Sequence, residues 1–371
     1  MHVSIDQFQL SKALDTVSRL VSAQNTMPIL GGIQLTATLQ GLTATTTDLF
    51  SCMTVTVPAY VTESGTVVLP ASTLRDLVRR IPTATVDIHA DSATSKAIVR
   101  YGPSRTTIHG FGAEQLPAFP DLPPETAVVT LDPQVLAQIV QHTVFACAPS
   151  SDSRPILQGV QMVLEPGQVT FVATDGSRLS VARRPMPQYT GAPVRTVIPE
   201  KVMREGAKLG TGTHPVTITL ASGFIQWTSE DTVLQSRVID GEFPDYSRVV
   251  PQDYPVQIHF SVADLKGSVE RAQLIASRER SNAILLRHQT GTLQIEATAA
   301  DLGQALESLD CASEGPEMSV LFNATFVLDA LKSLQGDDGV MEWSGVQSAA
   351  RIRDAADPTY FHVVLPMRQL V

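Results

Sequence analysis

Three copies of an α+β unit, each with two helices packed on antiparallel sheet, are the architecture that the 371 residues predict. Internal self-similarity is the first observation. Met27-Pro28-Ile29-Leu30-Gly31 returns 127 residues later as Arg154-Pro155-Ile156-Leu157-Gln158, and more faintly as Asn282-Ala283-Ile284-Leu285-Leu286. Thr47-Asp48-Leu49 returns as Thr174-Asp175-Gly176 and then as Ala300-Asp301-Leu302. Phe119-Pro120-Asp121-Leu122 matches Phe243-Pro244-Asp245-Tyr246, and Leu365-Pro366 closes the chain. The second observation is the period, about 125 residues, which divides the chain into domains at 1–124, 125–252 and 253–371. The third is that every repeat shows the same order of helical and alternating stretches.

A short strand and an amphipathic helix open each repeat. Leu10, Ala13, Leu14, Val17 and Val21 fall three and four apart and share one helical face. Leu136, Ile139 and Val140 do so in the second repeat, and Leu265, Val269 and Ala272 in the third. Alternating stretches follow, such as Leu42-Thr43-Ala44-Thr45 and Phe171-Val172-Ala173-Thr174, and read as half-buried strands. A second helix then begins after Pro70, Pro199 or Asn323, residues suited to a helix start. Leu74, Leu77, Val78 and Ile81 form its apolar stripe in the first repeat, and Val327, Leu328, Leu331 and Leu334 in the third. Strands such as Val216-Thr217-Ile218-Thr219-Leu220 and Phe224-Ile225-Gln226-Trp227 close the units, with Pro- and acid-rich linkers at 117–125 and 244–255.

Composition narrows the function classes. With 43% hydrophobic and 17% charged residues, and a mean hydropathy of +0.07, the chain is not intrinsically disordered. No run approaches the roughly 20 apolar residues of a membrane helix, and MHVSIDQFQL lacks the regions of a signal peptide. Three scattered cysteines, Cys52, Cys147 and Cys311, make neither a disulfide framework nor a zinc site. A cytoplasmic protein with no membrane contact is the expectation.

The net charge of −10 is unevenly spread. Predicted helices at 6–24, 71–81, 132–146, 199–209, 262–280 and 323–335 hold 13 Lys and Arg against 10 Asp and Glu, leaving 14 basic and 27 acidic residues elsewhere. Helix propensity alone accounts for this bias in one way. A shared helical surface facing a polyanion accounts for it in another, through Lys12, Arg19, Arg75, Arg79, Arg80, Lys201, Arg204, Lys208, Lys266, Arg271 and Lys332. Helix 132–146, with no basic residue, does not join that surface.

Signatures of catalysis are missing. The chain contains no G-x-S-x-G, no phosphate-binding G-x-x-x-x-G-K-[ST], no H-E-x-x-H and no C-x-x-C. Gly110-Phe111-Gly112 and Gly210-Thr211-Gly212 lack the third glycine of a dinucleotide loop. Asp48, Asp175 and Asp301 recur at equivalent places, which fits a turn residue accepting backbone N–H bonds better than a catalytic acid. No catalytic residue, metal or cofactor is expected.

With these residues in view, the chain resembles the bacterial sliding-clamp family, the DNA polymerase III beta subunits. The resemblance runs the whole length. Its most specific pieces are Met27-Pro28-Ile29-Leu30-Gly31, Ala173-Thr174-Asp175-Gly176-Ser177-Arg178-Leu179, Asp240-Gly241-Glu242-Phe243-Pro244-Asp245-Tyr246 and Val363-Val364-Leu365-Pro366-Met367-Arg368. It implies the DNA-clamp fold, two chains closed head to tail in a ring, and a processivity factor that encircles duplex DNA without sequence preference. Implied partners are the replicative polymerase, the clamp loader and other proteins carrying a clamp-binding motif. The matching cleft positions are Arg154, Leu157, Thr174, Gly176, Ser177, Arg178, Leu179, Pro244, Val249, Val363, Leu365, Pro366, Met367 and Arg368. A peptide's Leu and Phe anchors would fill a pocket made by Leu157, Leu179, Pro244, Val249, Val363 and Met367.

Arg79, Lys201 and Asn323 fall on the family's DNA-contact positions, with Arg75, Arg80 and Arg204 beside them on the same helices. Thr106 and Ile108 are expected to meet Leu274 and Ile275 of the partner chain. Departures from the family pattern are Gln24, Ser151 and the extra terminal Gln369, Leu370 and Val371. A secondary clamp paralogue for repair or another replicon is the nearest alternative, and a hydrolase using the repeated aspartates a remote one.

Overall fold

Strands lead directly into helices here, and the cap residues fix where each helix starts. The computed structural model describes residues 1–21, 27–82, 84–91, 94–112, 116–210 and 214–368; Gln24 and residues 369–371 lie outside them. The helices are α1 (Gln7–Val17), α2 (Ala71–Arg79), α3 (Pro133–Thr143), α4 (Glu200–Ala207), α5 (Val262–Ala276) and α6 (Ala324–Ser333). Asp6, Ser261 and Asn323 accept hydrogen bonds from the backbone N–H of Gln9, Asp264 and Thr325 at 3.0, 3.3 and 2.9 Å. Pro70 stands at the cap of α2 rather than inside its first turn.

α1 and α5 end earlier than their apolar spacing suggests. Beyond Val17 the N–H groups of Arg19, Leu20 and Val21 bond three residues back, and Arg278 and Glu279 do the same beyond Ala276. The last turns therefore tighten to the 3₁₀ form before the chain leaves. Val21 consequently falls outside the helical stripe, which consists of Leu10, Ala13, Leu14 and Val17.

Two compact units emerge, one from residues 1–136 with 204–238, the other from 137–203 with residues from 239 onward. In the first unit, an eight-stranded antiparallel sheet runs Glu125–Leu131, Val216–Ala221, Phe224–Ser229, Thr232–Arg237, Ser51–Val57, Gly41–Thr47, Gly32–Thr38, Gly65–Pro70. Four strands come from each of two repeats, joined where Val233 pairs with Thr54. A five-stranded sheet orders Tyr60–Glu63, His2–Asp6, Thr85–Asp91, Lys96–Tyr101 and Ser104–His109. Trp227 is fully buried in this unit, and a Cβ at Gly206 would stand 2.6 Å from its ring, so the close approach of α4's end requires glycine.

The second unit repeats the scheme. Its nine-stranded sheet runs Val194–Pro199, Gly159–Glu165, Gly167–Thr174, Arg178–Met186, Tyr360–Val364, Ala350–Asp354, Asp338–Trp343, Val256–Ser261, Ala312–Glu314. Leu179 pairs with Val363 at the join between repeats. A four-stranded sheet orders Gly303–Asp310, Thr292–Ala299, Ala283–Gln289 and Met318–Asn323. α5 and α6 bury Leu265, Val269, Val327, Leu328 and Leu331 against Phe322, Trp343 and Tyr360.

A buried polar cluster sits within this core. The His142 ring stacks on Tyr360 at 4.0 Å, and the Tyr360 hydroxyl is hydrogen-bonded to Ser333. Burial, helped by the Arg184 charge, lowers the His142 imidazole to about 4. Burial, helped by Arg178, lowers fully buried His362 to about 3.

One strand differs in character from its sequence pattern. Phe171, Val172 and Ala173 are all fully buried, so the strand is covered on both faces rather than one. Val172, Leu179, Val181, Phe361 and Val363 form a second apolar cluster with Phe243, flanked by Ile156, Ile239, Tyr246 and Val250. The segment read as a linker thus includes residues that cover part of the sheet, and the candidate site lies at that covering.

Candidate functional site

Thr174–Arg178 is a turn built by its own side chains. The Thr174 hydroxyl donates to the Arg178 carbonyl at 2.6 Å and accepts the Gly176 N–H at 3.1 Å. Asp175 Oδ1 accepts the N–H groups of Ser177 and Arg178 at 2.8 and 3.0 Å, the turn role expected of that aspartate. Gly176 adopts φ +90°, and a Cβ there would lie 2.9 Å from Arg154 Nη1. Both the backbone and the arginine beside it favour glycine.

The same turn occurs in the first unit, bond for bond. Thr47 donates to the Ser51 carbonyl at 2.9 Å and accepts Leu49 N–H at 3.1 Å, while Asp48 Oδ1 accepts Phe50 and Ser51 N–H at 3.1 and 2.7 Å. Leu49, at φ 75°, replaces the glycine, and Ser51 replaces the arginine. The third aspartate, Asp301, lies in a turn fastened differently, by Ala300 N–H donating to Glu279 at 3.1 Å.

Beside the Gly176 turn lies a hollow of about 250 Å³. It is lined by Arg154, Leu157, Thr174, Gly176, Arg178, Leu179, Pro244, Val249, Val363 and Leu365, all expected from the sequence, together with Asp245 and Tyr246. Leu157, Leu179 and Val363 are buried and form its floor, whereas Val249 and Leu365 are 47% and 38% exposed at its lip. Two arginines are held in place around it. Arg154 makes a paired contact with Asp152 at 3.0 Å through both Nε and Nη2, and Nη2 also donates to the Asp175 carbonyl at 2.9 Å. These bonds keep the Asp152 carboxyl below its usual range. Arg178 donates to Asp175, Asp329 and the Phe145 carbonyl, with its guanidinium 4.6 Å from the centre of the Phe326 ring.

Other expected residues stand apart from this hollow. Leu365 N–H donates to the Ser177 carbonyl and Met367 N–H to Leu321, so the final segment continues past the first hollow. Pro366, Met367 and Arg368 line an adjoining one of about 580 Å³ with Leu321, Val346, Gln347 and the shared Leu365. Met367 therefore does not share a pocket with Leu157. The Ser177 side chain is exposed and lines neither hollow. Tyr246 and Asp245 stood within the Phe243-Pro244-Asp245-Tyr246 motif, so a local signal existed for them. Asp329, 151 residues from Arg178, gave none.

On the helices, Arg79, Arg80, Lys201 and Arg204 are exposed and Arg75 half-buried. Arg79 pairs with Asp15 of α1 at 3.1 Å and Arg75 with adjacent Asp76 at 3.2 Å. Asn323 spends its amide on structure, accepting from Thr325 N–H and donating to the Ser281 carbonyl at 3.3 Å. Thr106 and Ile108 lie on Ser104–His109, an edge of the five-stranded sheet. Ile108 is only 4% exposed and already belongs to its own unit's core, whereas Leu274 is 71% exposed and Ile275 half-buried. Leu302 and Leu306, near or on the edge strand Gly303–Asp310, are also exposed. Among the described residues no three His, Cys, Asp or Glu side chains are grouped to hold a metal, and no helix is long and apolar enough to cross a membrane.

Comparisons with known proteins agree in one direction. Residues 1–120, 130–245 and 247–368 match the families described as the N-terminal, central and C-terminal domains of the DNA polymerase III beta subunit. The beta sliding clamp of Bacillus subtilis (strain 168) is 27% identical over 99% of this chain and 100% of its own length. A crystal structure of the Bacillus subtilis DNA polymerase sliding clamp superposes with a TM-score of 0.95 at 26% identity, covering 100% of this chain and 99% of that one. The Pseudomonas aeruginosa DNA polymerase III subunit beta gives 0.94 at 27% identity, over 99% and 100%.

Proposed function

From the premise that this chain belongs to the DNA polymerase III beta-subunit family and is a DNA sliding clamp, we propose that it closes as a head-to-tail homodimer and tethers partners by short peptides seated in the Leu157 hollow. The observation that carries the tethering role is the hollow itself. An apolar floor of Leu157, Leu179 and Val363 lies beneath two arginines already fixed by Asp152, Asp175 and Asp329. Such a site needs little reorganisation to receive an apolar anchor. Leu365 is common to both hollows, so two anchors a few residues apart on one extended peptide would occupy them together. The replicative polymerase and clamp loader are the partners this reading assigns, bound through such motifs, and the chain itself contributes no catalytic residue. Tethering raises the partner's effective concentration at DNA, which makes rebinding after a slip intramolecular.

Ring closure is assigned to the two outer edges. Ser104–His109 ends a five-stranded sheet in one unit and Gly303–Asp310 ends a four-stranded sheet in the other. Joined between two chains, they would make nine strands, the number already formed where the second and third repeats meet. Leu274, Ile275 and Leu306 would supply the apolar contact, with Thr106 on the facing edge. Domains at 1–124, 125–252 and 253–371 complete the reading, with Arg75, Arg79, Arg80, Lys201 and Arg204 facing duplex phosphates.

The test is a titration of a labelled peptide carrying one Gln and spaced Leu and Phe anchors. Affinity near micromolar is expected, about −8 kcal/mol, with one site per chain. Removing residues from 365 onward should abolish it while sizing shows the dimer intact. Unchanged affinity in the truncated dimer would place the cleft elsewhere.

A further inference from the structure

Pro244, Asp245 and Tyr246 are a wall with two sides. One side closes the Leu157 hollow. The other borders a separate groove of about 890 Å³ over the outer face of the nine-stranded sheet. The strands beneath it place Arg195, Val163, Thr170 and Arg183 on one cross-strand row, since Val163 pairs with both Arg195 and Thr170, and Thr170 pairs with Arg183. Side chains in such a row point to the same face. Three strand spacings of about 4.8 Å put the two arginines roughly 14 Å apart at the Cα positions, the reach of four or five extended residues.

The two cations differ from Arg154, Arg178 and Arg248. Arg154 and Arg178 are consumed by Asp152, Asp175 and Asp329, and Arg248 at the groove's edge pairs with Asp245 at 3.1 Å. Arg183 and Arg195 have no ion-pair partner among the described residues. Arg183 is also half-buried, and its guanidinium stands 5.4 Å from the centre of the Phe361 ring, a contact that restrains it. Glu165 and Glu242 line the groove as well, so acidic groups are disfavoured beside them and favoured at the arginines.

We propose that the groove receives an acidic stretch flanking the apolar anchors of the same partner peptide, with carboxylates on Arg183 and Arg195. This rests on the Leu157 hollow being the anchor site. The shared wall makes the two sites neighbours, so one peptide crossing it reaches both, and the arginine row attracts carboxylates. The chain as a whole carries −10, so acidic residues added to a peptide should weaken its encounter unless a specific cationic site receives them.

The experiment uses the full-length protein and three labelled peptides. One carries anchors only, and the other two carry four Asp or Glu residues before or after the same anchors. At low salt, one flanked peptide should bind at least fivefold more tightly than the anchor-only peptide. The gain should vanish in Arg183→Gln/Arg195→Gln and return in part in Arg183→Lys/Arg195→Lys, with anchor-only affinity unchanged in both. No gain from either flank, or a gain that survives the Gln variant, would overturn the proposal. An anchor-only peptide that fails to bind would instead overturn the cleft assignment and take this proposal with it. Both variants should retain the parent's far-UV spectrum and sizing profile.

Discussion

Gly176 and Leu49 occupy the same position in two copies of one turn, and only Leu49 strains its backbone there. A non-glycine residue in the left-handed region costs about 1–2 kcal/mol, so Gly176→Leu should destabilise the second unit by about that much. It should also displace Arg154, whose guanidinium lies where the new Cβ would go, and remove peptide binding. Thermal unfolding and the anchor-peptide titration check the two effects separately. His362 carries a pH dependence of definite sign. Its native imidazole titrates near 3, against 6.5 when unfolded, so below pH 6.5 the unfolded chain takes up a proton that the native core refuses. Stability is therefore full above about 6.5 and falls as pH drops toward 3, by about 1.4 kcal/mol per pH unit for this one group. His142 adds the same sign over 6.5 to about 4. His362→Leu should flatten the acid slope of hydrogen exchange along Tyr360–Val364; an unchanged slope would count against this account.

Asn323 shows how an element can use a residue that the family resemblance also assigns to DNA contact. Its amide caps α6 and ties to Ser281, so Asn323→Ala should cost about 1 kcal/mol of stability and leave DNA retention unaltered. Melting and a retention assay on circular DNA decide between the roles. The helices were readable because a stripe such as Leu265, Val269 and Ala272 is a local pattern, and caps such as Ser261 and Asn323 are single residues. The sheets were readable only as strands. Nothing near Val233 announces that it pairs with Thr54, and nothing near Arg178 announces Asp329. Most of the hollow's lining was accessible for the same reason: Gly176 and Leu179 sit in one motif, and Tyr246 stood in another. The separation of Met367 from Leu157 depends on which way a terminal segment turns after pairing with Ser177, which is a tertiary fact.

At the level of the assembly, closure should depend on Leu274 more than on Ile108, since only the former offers apolar surface not already buried in its own unit. Leu274→Asp/Ile275→Asp should give folded monomers by light scattering, whereas the proposed parent dimer should weigh about twice 39.9 kDa. A variant that stays dimeric would move the interface. Arg79→Glu/Lys201→Glu should leave the dimer intact yet lower retention on circular DNA, with the deficit largest at low salt and narrowing as salt rises. The join between repeats also bears on synthesis. Ser51 and Ser236, hydrogen-bonded across it, stand 185 residues apart in sequence. A ribosome adding 5–20 residues per second needs about 10–40 s to make the intervening chain. Throughout that interval Ser51–Val57 waits as an open strand edge, the form of nascent chain most prone to pairing with a neighbour. Pausing translation between residues 60 and 230 should therefore expose this protein to aggregation far more than pausing it after residue 240.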